Sequence, residues 1–269
     1  FPLNQHIGVP AKEIVKPGDE VSAGQIIAEA GGFVSCPIHA SAKGTVKKIE
    51  ILNSANGRKT KTIIIETKEQ EQTQEFTRNS LQLENIQSEE IIKKIQSAGI
   101  VGMGGAAFPT HVKLQPPSDK KIDFLLINGA ECEPYLTCDY RIMMEETDRL
   151  IGGIELMMKT LKVKEAFIGI EKNKPKAIEL LKEKTQNKSI TVIPLEVKYP
   201  QGAEKQLIKA ITKREVPSGG LPMDAGAVVQ NIGTAAAVYD AVYFDKPLIE
   251  RVLTVSGPGV TNPKNLLVK

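Results

Sequence analysis

The sequence has few of the residues from which metal centres and disulfide frameworks are built. Tryptophan is absent, and the 269 residues include three cysteines and three histidines. The cysteines are Cys36, Cys132 and Cys138, and the histidines are His6, His39 and His111. No two cysteines form a C-x-x-C pair and the histidines are far apart, so we expect neither a disulfide framework nor a metal site made by this chain. This cysteine usage fits a reducing, cytoplasmic setting.

Long apolar runs and concentrated charge are also missing. No stretch approaches the ~18 consecutive apolar residues of a membrane-spanning helix, so we expect no direct membrane span. The 35 basic and 32 acidic residues are scattered, without a basic stripe that carries interleaved aromatics. Nucleic acid is therefore not an expected partner. The chain begins with Phe1 rather than methionine, and we expect a fragment or a processed chain.

Residues 1–66 are predicted to form an all-β module. Short β-rich segments are found at residues 9–11, 13–15, 25–28, 44–50 and 61–66. Turn signals at residues 16–19 and 23–24 separate the first of these segments. The pair Asn56-Gly57 predicts a hairpin turn between the last two.

Two phrases in this module resemble the barrel-sandwich fold of biotinyl and lipoyl domains. They are residues 17–25 (PGDEVSAGQ) and residues 44–46 (GTV). Those carriers place their modified lysine at a hairpin tip between the two phrases. The corresponding stretch here, residues 29–33 (EAGGF), has no lysine, which excludes covalent carriage at that tip. We therefore interpret the module as structural, with Cys36 and His39 as packing or loop residues rather than ligands.

Residues 67–87 are rich in glutamine and glutamate and poor in large apolar side chains. This composition predicts a polar linker, and we place a domain boundary there.

From residue 88 onward the pattern predicts a Rossmann-like α/β domain, residues 88–249. Ser88 is expected to cap a helix that ends at Gly99, and Asn173 to cap a later one. Strands are predicted at residues 122–128, 166–170, 190–195 and 227–229, and further helices at 139–161, 175–184, 203–212 and 234–243. This alternation predicts a parallel sheet with right-handed crossovers. A last strand, residues 252–257, begins a further unit.

A glycine-rich loop follows the first helix of this domain, within residues 99–113 (GIVGMGGAAFPTHVK). A phosphate-binding site requires exposed backbone N–H groups and a nearby cation, and this loop offers both, with Lys113 as the cation. The loop is neither a Walker A sequence nor a G-x-G-x-x-G fingerprint. An ordinary tight connection therefore remains an alternative to a cofactor-binding loop.

Three polar motifs follow predicted strands, where ligands of open α/β sheets bind. They are residues 128–134 (NGAECEP), 199–205 (YPQGAEK) and 230–234 (QNIGT). With the glycine loop they could line one crevice. Each motif also has a simpler interpretation. Glu131 and Glu133 could be a solvated strand end, Asn231 and Thr234 a helix cap, and Lys113 a surface residue. Cys132 has no local histidine partner and is interpreted as structural.

Taken together, these motifs resemble the C subunit of the Rnf ion-translocating electron-transport complex, and more distantly the flavin-bearing subunit of respiratory complex I. The resemblance covers essentially the whole chain. It implies FMN held non-covalently and reduced by NADH. It assigns the phosphate and ribityl side to Gly102, Gly104, Gly105 and Lys113. It assigns the isoalloxazine to Asn128, Glu131 and Glu133, and the border with nicotinamide to Tyr199, Gly202 and Glu204. It assigns the phosphate end to Asn231 and Thr234, and stacking on the dinucleotide to Phe108.

The sequence departs from the complex I pattern at the dinucleotide contacts. Ala130 stands where that pattern has an acidic residue. That pattern also has a second glutamate after its Gly-Glu pair, whereas here Ala203 and Lys205 flank a single Glu204. The family continues into a β-grasp (SLBB-like) domain and two ferredoxin motifs. We expect residues 250–269 to begin the β-grasp domain, and the 4Fe-4S clusters to belong to a missing C-terminal part.

The resemblance implies an NADH-oxidising, FMN-binding electron-entry module of a membrane-associated ion-translocating complex of the NADH:ferredoxin oxidoreductase type. The chain would attach peripherally, on the cytoplasmic side of the cell membrane, through other subunits. One alternative is a flavoprotein similar to the cobalamin reductase of bacterial microcompartments. Another is a non-catalytic docking module of the same fold.

Overall fold

The computed structural model describes residues 1–54, 57–67 and 74–269. The N-terminal strands are β1 (Lys12–Glu13), β2 (Glu20–Val21), β3 (Ile26–Glu29), β4 (Ile38–His39), β5 (Gly44–Asn53) and β6 (Lys59–Glu66). They form two antiparallel three-stranded sheets, ordered β1-β3-β4 and β2-β5-β6, around a core that includes Val21, Ile27 and Ile63. The predicted all-β module is confirmed. Gly57 has the positive φ of a turn residue (77°), whereas Asn56 lies outside the described residues.

The tip between β3 and β4 is packed tightly against its own module. A Cβ atom on Gly31 would lie 2.2 Å from the carbonyl oxygen of Pro10. The Gly31 amide also donates to the Ser35 hydroxyl at 2.9 Å. Strands β2 and β4 were not predicted, and the predicted segment at residues 9–11 forms no strand. The expectation that Cys36 and His39 are packing residues is confirmed, since they are 1% and 8% exposed.

The predicted linker differs from expectation in its second half. Residues 68–73 lie outside the described part of the chain, but Ile86 is 1% exposed, and Leu81 and Leu83 pack against the core of the α/β domain. The main-chain N–H of Asn79 donates to the carbonyl oxygen of Tyr243 at 2.7 Å. A few well-placed apolar side chains anchor a segment whose average composition is polar.

The α/β domain is a parallel sheet with helices on both faces. Its strands are β7 (Phe124–Gly129), β8 (Glu165–Glu171), β9 (Ile190–Leu195) and β10 (Ala227–Asn231). Its helices are α1 (Ser88–Ser97), α2 (Thr110–Lys113), α3 (Cys138–Glu145), α4 (Thr147–Leu161), α5 (Pro175–Lys184), α6 (Glu204–Thr212) and α7 (Ile232–Tyr243). The strands run parallel in the order β10-β7-β8-β9. Leu125 and Ile127 of β7 join one apolar cluster and Leu126 another, so both faces are buried, and the predicted sheet is confirmed.

Two expected helix caps are wrong. Ser88 is the first helical residue and Gln87 holds the cap position; the Ser88 hydroxyl donates to the Lys159 carbonyl at 3.2 Å instead of capping the helix. Pro175 lies in the first turn of α5, as expected, but it is the first helical residue, and the cap position is held by Lys174 rather than by Asn173.

The single helix predicted over residues 139–161 is two helices that meet at Glu146, whose φ and ψ are −123° and 31°. Helix α3 is anchored at its start, where the Asp139 amide donates to Glu131. Helix α4 is anchored on α7, so closely that a Cβ on Gly153 would lie 1.8 Å from the Ala235 carbonyl oxygen. We attribute the break to these two separate anchors.

The last strands, β11 (Arg251–Val255) and β12 (Lys264–Val268), form an antiparallel hairpin. Strand β11 corresponds to the strand expected at residues 252–257, and it packs on α3. Its membership of a β-grasp domain stays a prediction. None of the helices in the described ranges combines the length and apolar character needed to cross a bilayer.

Candidate cofactor site

The order of strands changes direction between β10 and β7. From β7 the chain adds β8 and β9 on one side, and then returns to place β10 on the other side. The register pairs Asn231, at the end of β10, with Asn128 near the end of β7. In open α/β sheets such a switch point opens a crevice at the carboxyl ends of the strands, where ligands bind.

The glycine loop, residues 102–108, lies at this crevice. Its ends are joined by a hydrogen bond from the Gly102 amide to the Phe108 carbonyl at 2.9 Å. Gly104 and Gly105 are exposed. A Cβ on Gly105 would meet nothing within 4 Å, whereas one on Gly104 would lie 3.0 Å from the Asn231 side chain. The loop therefore presents bare backbone to open space beside the end of β10.

Asn231 and Thr234 hold this loop against α7. The Asn231 Oδ1 atom accepts from the amides of Gly233 (2.8 Å) and Thr234 (3.2 Å), which confirms that Asn231 caps the helix. The Thr234 side chain is fully buried, and its hydroxyl accepts from the Met103 amide at 3.0 Å. The structure thus places both residues behind the loop, where their polar atoms bind the protein itself.

Lys113 is not an isolated surface residue. Its ammonium forms an ion pair with Glu204, at the start of α6, and donates to the Val229 carbonyl of β10 at 3.1 Å. These contacts bring the helix after the glycine loop, the second polar motif (residues 199–205) and the sheet edge to one place.

Asn128 joins the end of β7 to the segment that precedes α6. Its Nδ2 atom donates to the Gly202 carbonyl at 2.8 Å, and its Oδ1 atom accepts from the Ala130 amide at 3.1 Å. A Cβ on Gly202 would lie 3.1 Å from the Ala130 carbonyl oxygen. Glycine at this position therefore permits a close approach of the two backbones.

Glu131 is an interior residue, so the interpretation as a solvated strand end is wrong for it. It is 6% exposed and accepts from the amides of Asp139 (2.9 Å) and Tyr140 (3.2 Å) at the start of α3. Lys174 lies 3.5 Å from the same carboxylate. Burial, helped by the neighbouring Asp139, raises the pKa of Glu131 to about 7. Burial also raises the pKa of Asp139 to about 6, and this carboxylate accepts from Asn231 Nδ2 at 2.6 Å.

Glu133 and Tyr199 are exposed and line a second opening, a cavity of about 330 Å³ next to the crevice. Glu171, which the sequence analysis did not single out, lines the same cavity while being 1% exposed. One of its carboxylate oxygens, Oε2, has no hydrogen-bond partner within the described ranges. Its position directly after a predicted strand, like that of Glu131, is a signal that could have identified it.

Arg251 was also missed. Its guanidinium donates to the Met103 carbonyl at 3.0 Å, so the C-terminal hairpin contacts the glycine loop. No local signal marks this arginine, because its partner is 148 positions away along the chain. In the part of the chain that the structure describes, all three cysteines are free and no cluster of three or more histidine, cysteine, aspartate or glutamate side chains could hold a metal ion.

Two family models match this chain. The Nuo51 FMN-binding domain matches residues 95–240, which is more than half of the chain and includes the whole crevice. The RnfC barrel sandwich hybrid domain matches residues 1–70. The second match agrees with the resemblance to barrel-sandwich domains, and the first with the assignment of the crevice to a flavin.

Curated relatives match along the full length of the chain. The C subunit of the proton-translocating ferredoxin:NAD(+) oxidoreductase complex of Clostridium ljungdahlii is 50% identical over 100% of this chain. Its counterpart in the Na(+)-translocating complex of Acetobacterium woodii is 46% identical, also over 100%. The chain spans 59% and 61% of the lengths of these two relatives.

Among solved structures, an NAD+-reducing [NiFe]-hydrogenase in the H2-reduced state superposes with a TM-score of 0.51 at 22% identity. The match covers 58% of this chain and 30% of the other chain. A likeness at this level of identity supports the fold alone.

Proposed function

Because this chain belongs to the RnfC family, we propose that it binds FMN non-covalently at the switch point between β10 and β7 and exchanges a hydride with NADH there. It would serve as the NADH-oxidising electron-entry module of an ion-translocating complex. The observation that carries this proposal is the bare backbone at Gly104 and Gly105 beside the Asn231–Asn128 pair, within the segment that matches an FMN-binding family.

The residues at this point fit a flavin mononucleotide. The open space at Gly105 admits a ligand close to the backbone, and Lys113 supplies a cation for the phosphate. The start of α7 adds the positive end of a helix dipole. In the proposal, Asn128, Glu133 and Gly202 border the ring, with Tyr199, Glu204 and Phe108 on the dinucleotide side. Glu131, Asn231 and Thr234 act from behind, since they hold α3, α7 and the loop in place.

FMN would supply the hydride chemistry, and the protein would position the nicotinamide against it. The names of the relatives give ferredoxin as the donor and NAD(+) as the acceptor. The same site serves both directions, because forward and reverse hydride transfer share one transition state. Electrons would pass between the flavin and iron–sulfur clusters elsewhere in a membrane complex, with which this chain would associate peripherally on the cytoplasmic side.

An FMN titration of the purified chain, followed by flavin fluorescence and then by absorbance on anaerobic addition of NADH, tests the proposal. We expect saturable binding and bleaching by NADH. Lys113→Ala should weaken FMN binding by roughly 10- to 100-fold, since a charge-assisted contact to phosphate is lost. Lys121→Ala, whose side chain is 88% exposed, is the control and should bind like the wild type. A folded chain that does not bind FMN would favour the docking-module alternative.

A further inference from the structure

The barrel-sandwich module, residues 1–66, packs against the glycine loop at both of the loop's ends. Before the loop, Gly99 has a φ of 66°, and a Cβ there would lie 2.7 Å from the Pro37 carbonyl oxygen of the module. Near the end of the loop, the Ile7 amide of the module donates to the Ala107 carbonyl at 3.3 Å. The segment that would cradle phosphate is therefore framed by another part of the chain.

Between these two contacts lies a buried thiol–imidazole pair, Cys36 and His111, each 1% exposed. The Cys36 Sγ atom is 3.9 Å from His111 Nδ1 and 3.9 Å from the Ile100 carbonyl oxygen. The Cys36 amide in turn donates to His6 Nε2 at 3.1 Å, within the module. Burial lowers the pKa of His111 and raises that of Cys36 to about 12, so the contact between module and loop is uncharged at neutral pH.

Helix α2 connects this contact to the cation of the candidate site. His111 and Lys113 are two residues apart, which separates them by about 200° around the helix axis. His111 accordingly contacts the module on one side, while Lys113 reaches Glu204 and Val229 on the other. A displacement of the module would move α2, and the lysine with it.

We propose that the barrel-sandwich module positions the glycine loop and Lys113 for the phosphate of the flavin, with His111 as the positioning residue at the contact. This inference rests on the proposed function, because it concerns the affinity of the same site. A loop that already has its binding geometry loses less conformational entropy when the ligand binds. Residues that pack behind the binding groups hold the loop in that geometry. The module, which has no carrier lysine, thereby gains a role in cofactor binding.

The test measures FMN dissociation constants of the wild type and of a graded series of variants by fluorescence titration. His111→Ala and Gly99→Ala should each weaken FMN binding at least tenfold, and Cys36→Ala, which removes a single contact atom, by about two- to fivefold. His111→Gln keeps a neutral hydrogen-bonding group and should remain within threefold of the wild type. Gly18→Ala is the matched control for Gly99→Ala, since Gly18 also has a positive φ (94°) but has no neighbour within 4 Å of its Cβ position.

A double-mutant cycle separates positioning from general destabilisation. If His111 acts through Lys113, the His111→Ala/Lys113→Ala variant should bind FMN no more weakly than Lys113→Ala alone. Additive losses would overturn the assignment of His111 as the residue that positions Lys113, and unchanged affinity in folded His111→Ala and Gly99→Ala would overturn the inference as a whole. Should either of these variants fail to fold, Cys36→Ala and the Gly18→Ala control decide the question. A wild type without FMN affinity would instead overturn the proposed function, and this inference with it.

Discussion

The two walls of the candidate crevice are stabilised by different kinds of interaction. On the glycine-loop side, close packing of uncharged groups around Cys36 and His111 holds the backbone in place. On the opposite side, the desolvated carboxylates of Glu131 and Asp139 bind the start of α3 and the Asn231 cap. One wall depends on close packing and the other on electrostatics in a low-dielectric environment, so different perturbations should disturb each of them.

The largest effect is expected where the carboxylate wall loses the Glu131 carboxyl group and its two hydrogen bonds to α3. Glu131→Ala leaves two amides of α3 and the Lys174 ammonium without their partner. We expect the free energy of unfolding to fall by about 2–4 kcal/mol at pH 7, as measured by urea denaturation. Glu133→Ala, two residues away and exposed, is the control and should change it by less than about 0.5 kcal/mol. Equal effects of the two substitutions would contradict the description of Glu131 as an anchor.

The second prediction is that the two regions depend on pH in opposite ways. The pKa of Glu131 is raised from 4.5 to about 7, so between these values the native state holds a proton that the unfolded state has lost. The free energy of unfolding should therefore fall as pH rises through this range. At the module, burial lowers the pKa of His39 from 6.5 to about 4. There the unfolded state binds the extra proton, and stability should fall as pH drops from 6.5 to 4.

Urea denaturation between pH 4 and pH 8 distinguishes the two contributions. Glu131→Gln should reduce the loss on the alkaline side and His39→Gln the loss on the acid side, each by about 1–3 kcal/mol, because Asp139 and His111 still contribute losses of the same two signs. Asp139 and Lys174, which lie next to Glu131, remain in both variants. A variant that flattens both sides of the profile would show that the two regions are not independent.

The smallest effect is expected on the reactivity of the cysteine thiols toward a disulfide reagent. Cys36 is 1% exposed and its pKa is raised to about 12 by burial, so it offers almost no thiolate at pH 8. Cys132 and Cys138 are half-buried. Burial raises the pKa of Cys132 and Cys138 as well, but their thiols are less enclosed than that of Cys36. A disulfide reagent should thus modify Cys132 and Cys138 slowly in the folded protein, and Cys36 after unfolding, as read by mass spectrometry of peptides. Prompt modification of Cys36 in the native state would contradict the closed contact between module and loop.

Much of the fold could be predicted because its signals are local. The apolar run of β7, the turn at Gly57 and the start of α5 at Pro175 each depend on residues close in sequence. The break at Glu146 could not be predicted, since it results from anchors on two other parts of the chain. For the same reason the sequence showed Asn128 and Asn231 at strand ends, but not that the register pairs them.

The tip of the barrel-sandwich module has a consequence for motion. Loops at the tips of hairpins commonly move on nanosecond to microsecond timescales. The Gly31 backbone lies against Pro10 and donates to Ser35, so we expect it to move less than an ordinary hairpin tip. In biotinyl and lipoyl carriers this corner of the fold transports a tethered group from one place to another. Here the Gly31 backbone of the same corner is held by its own module, and we expect the module to act as a fixed support rather than as a carrier.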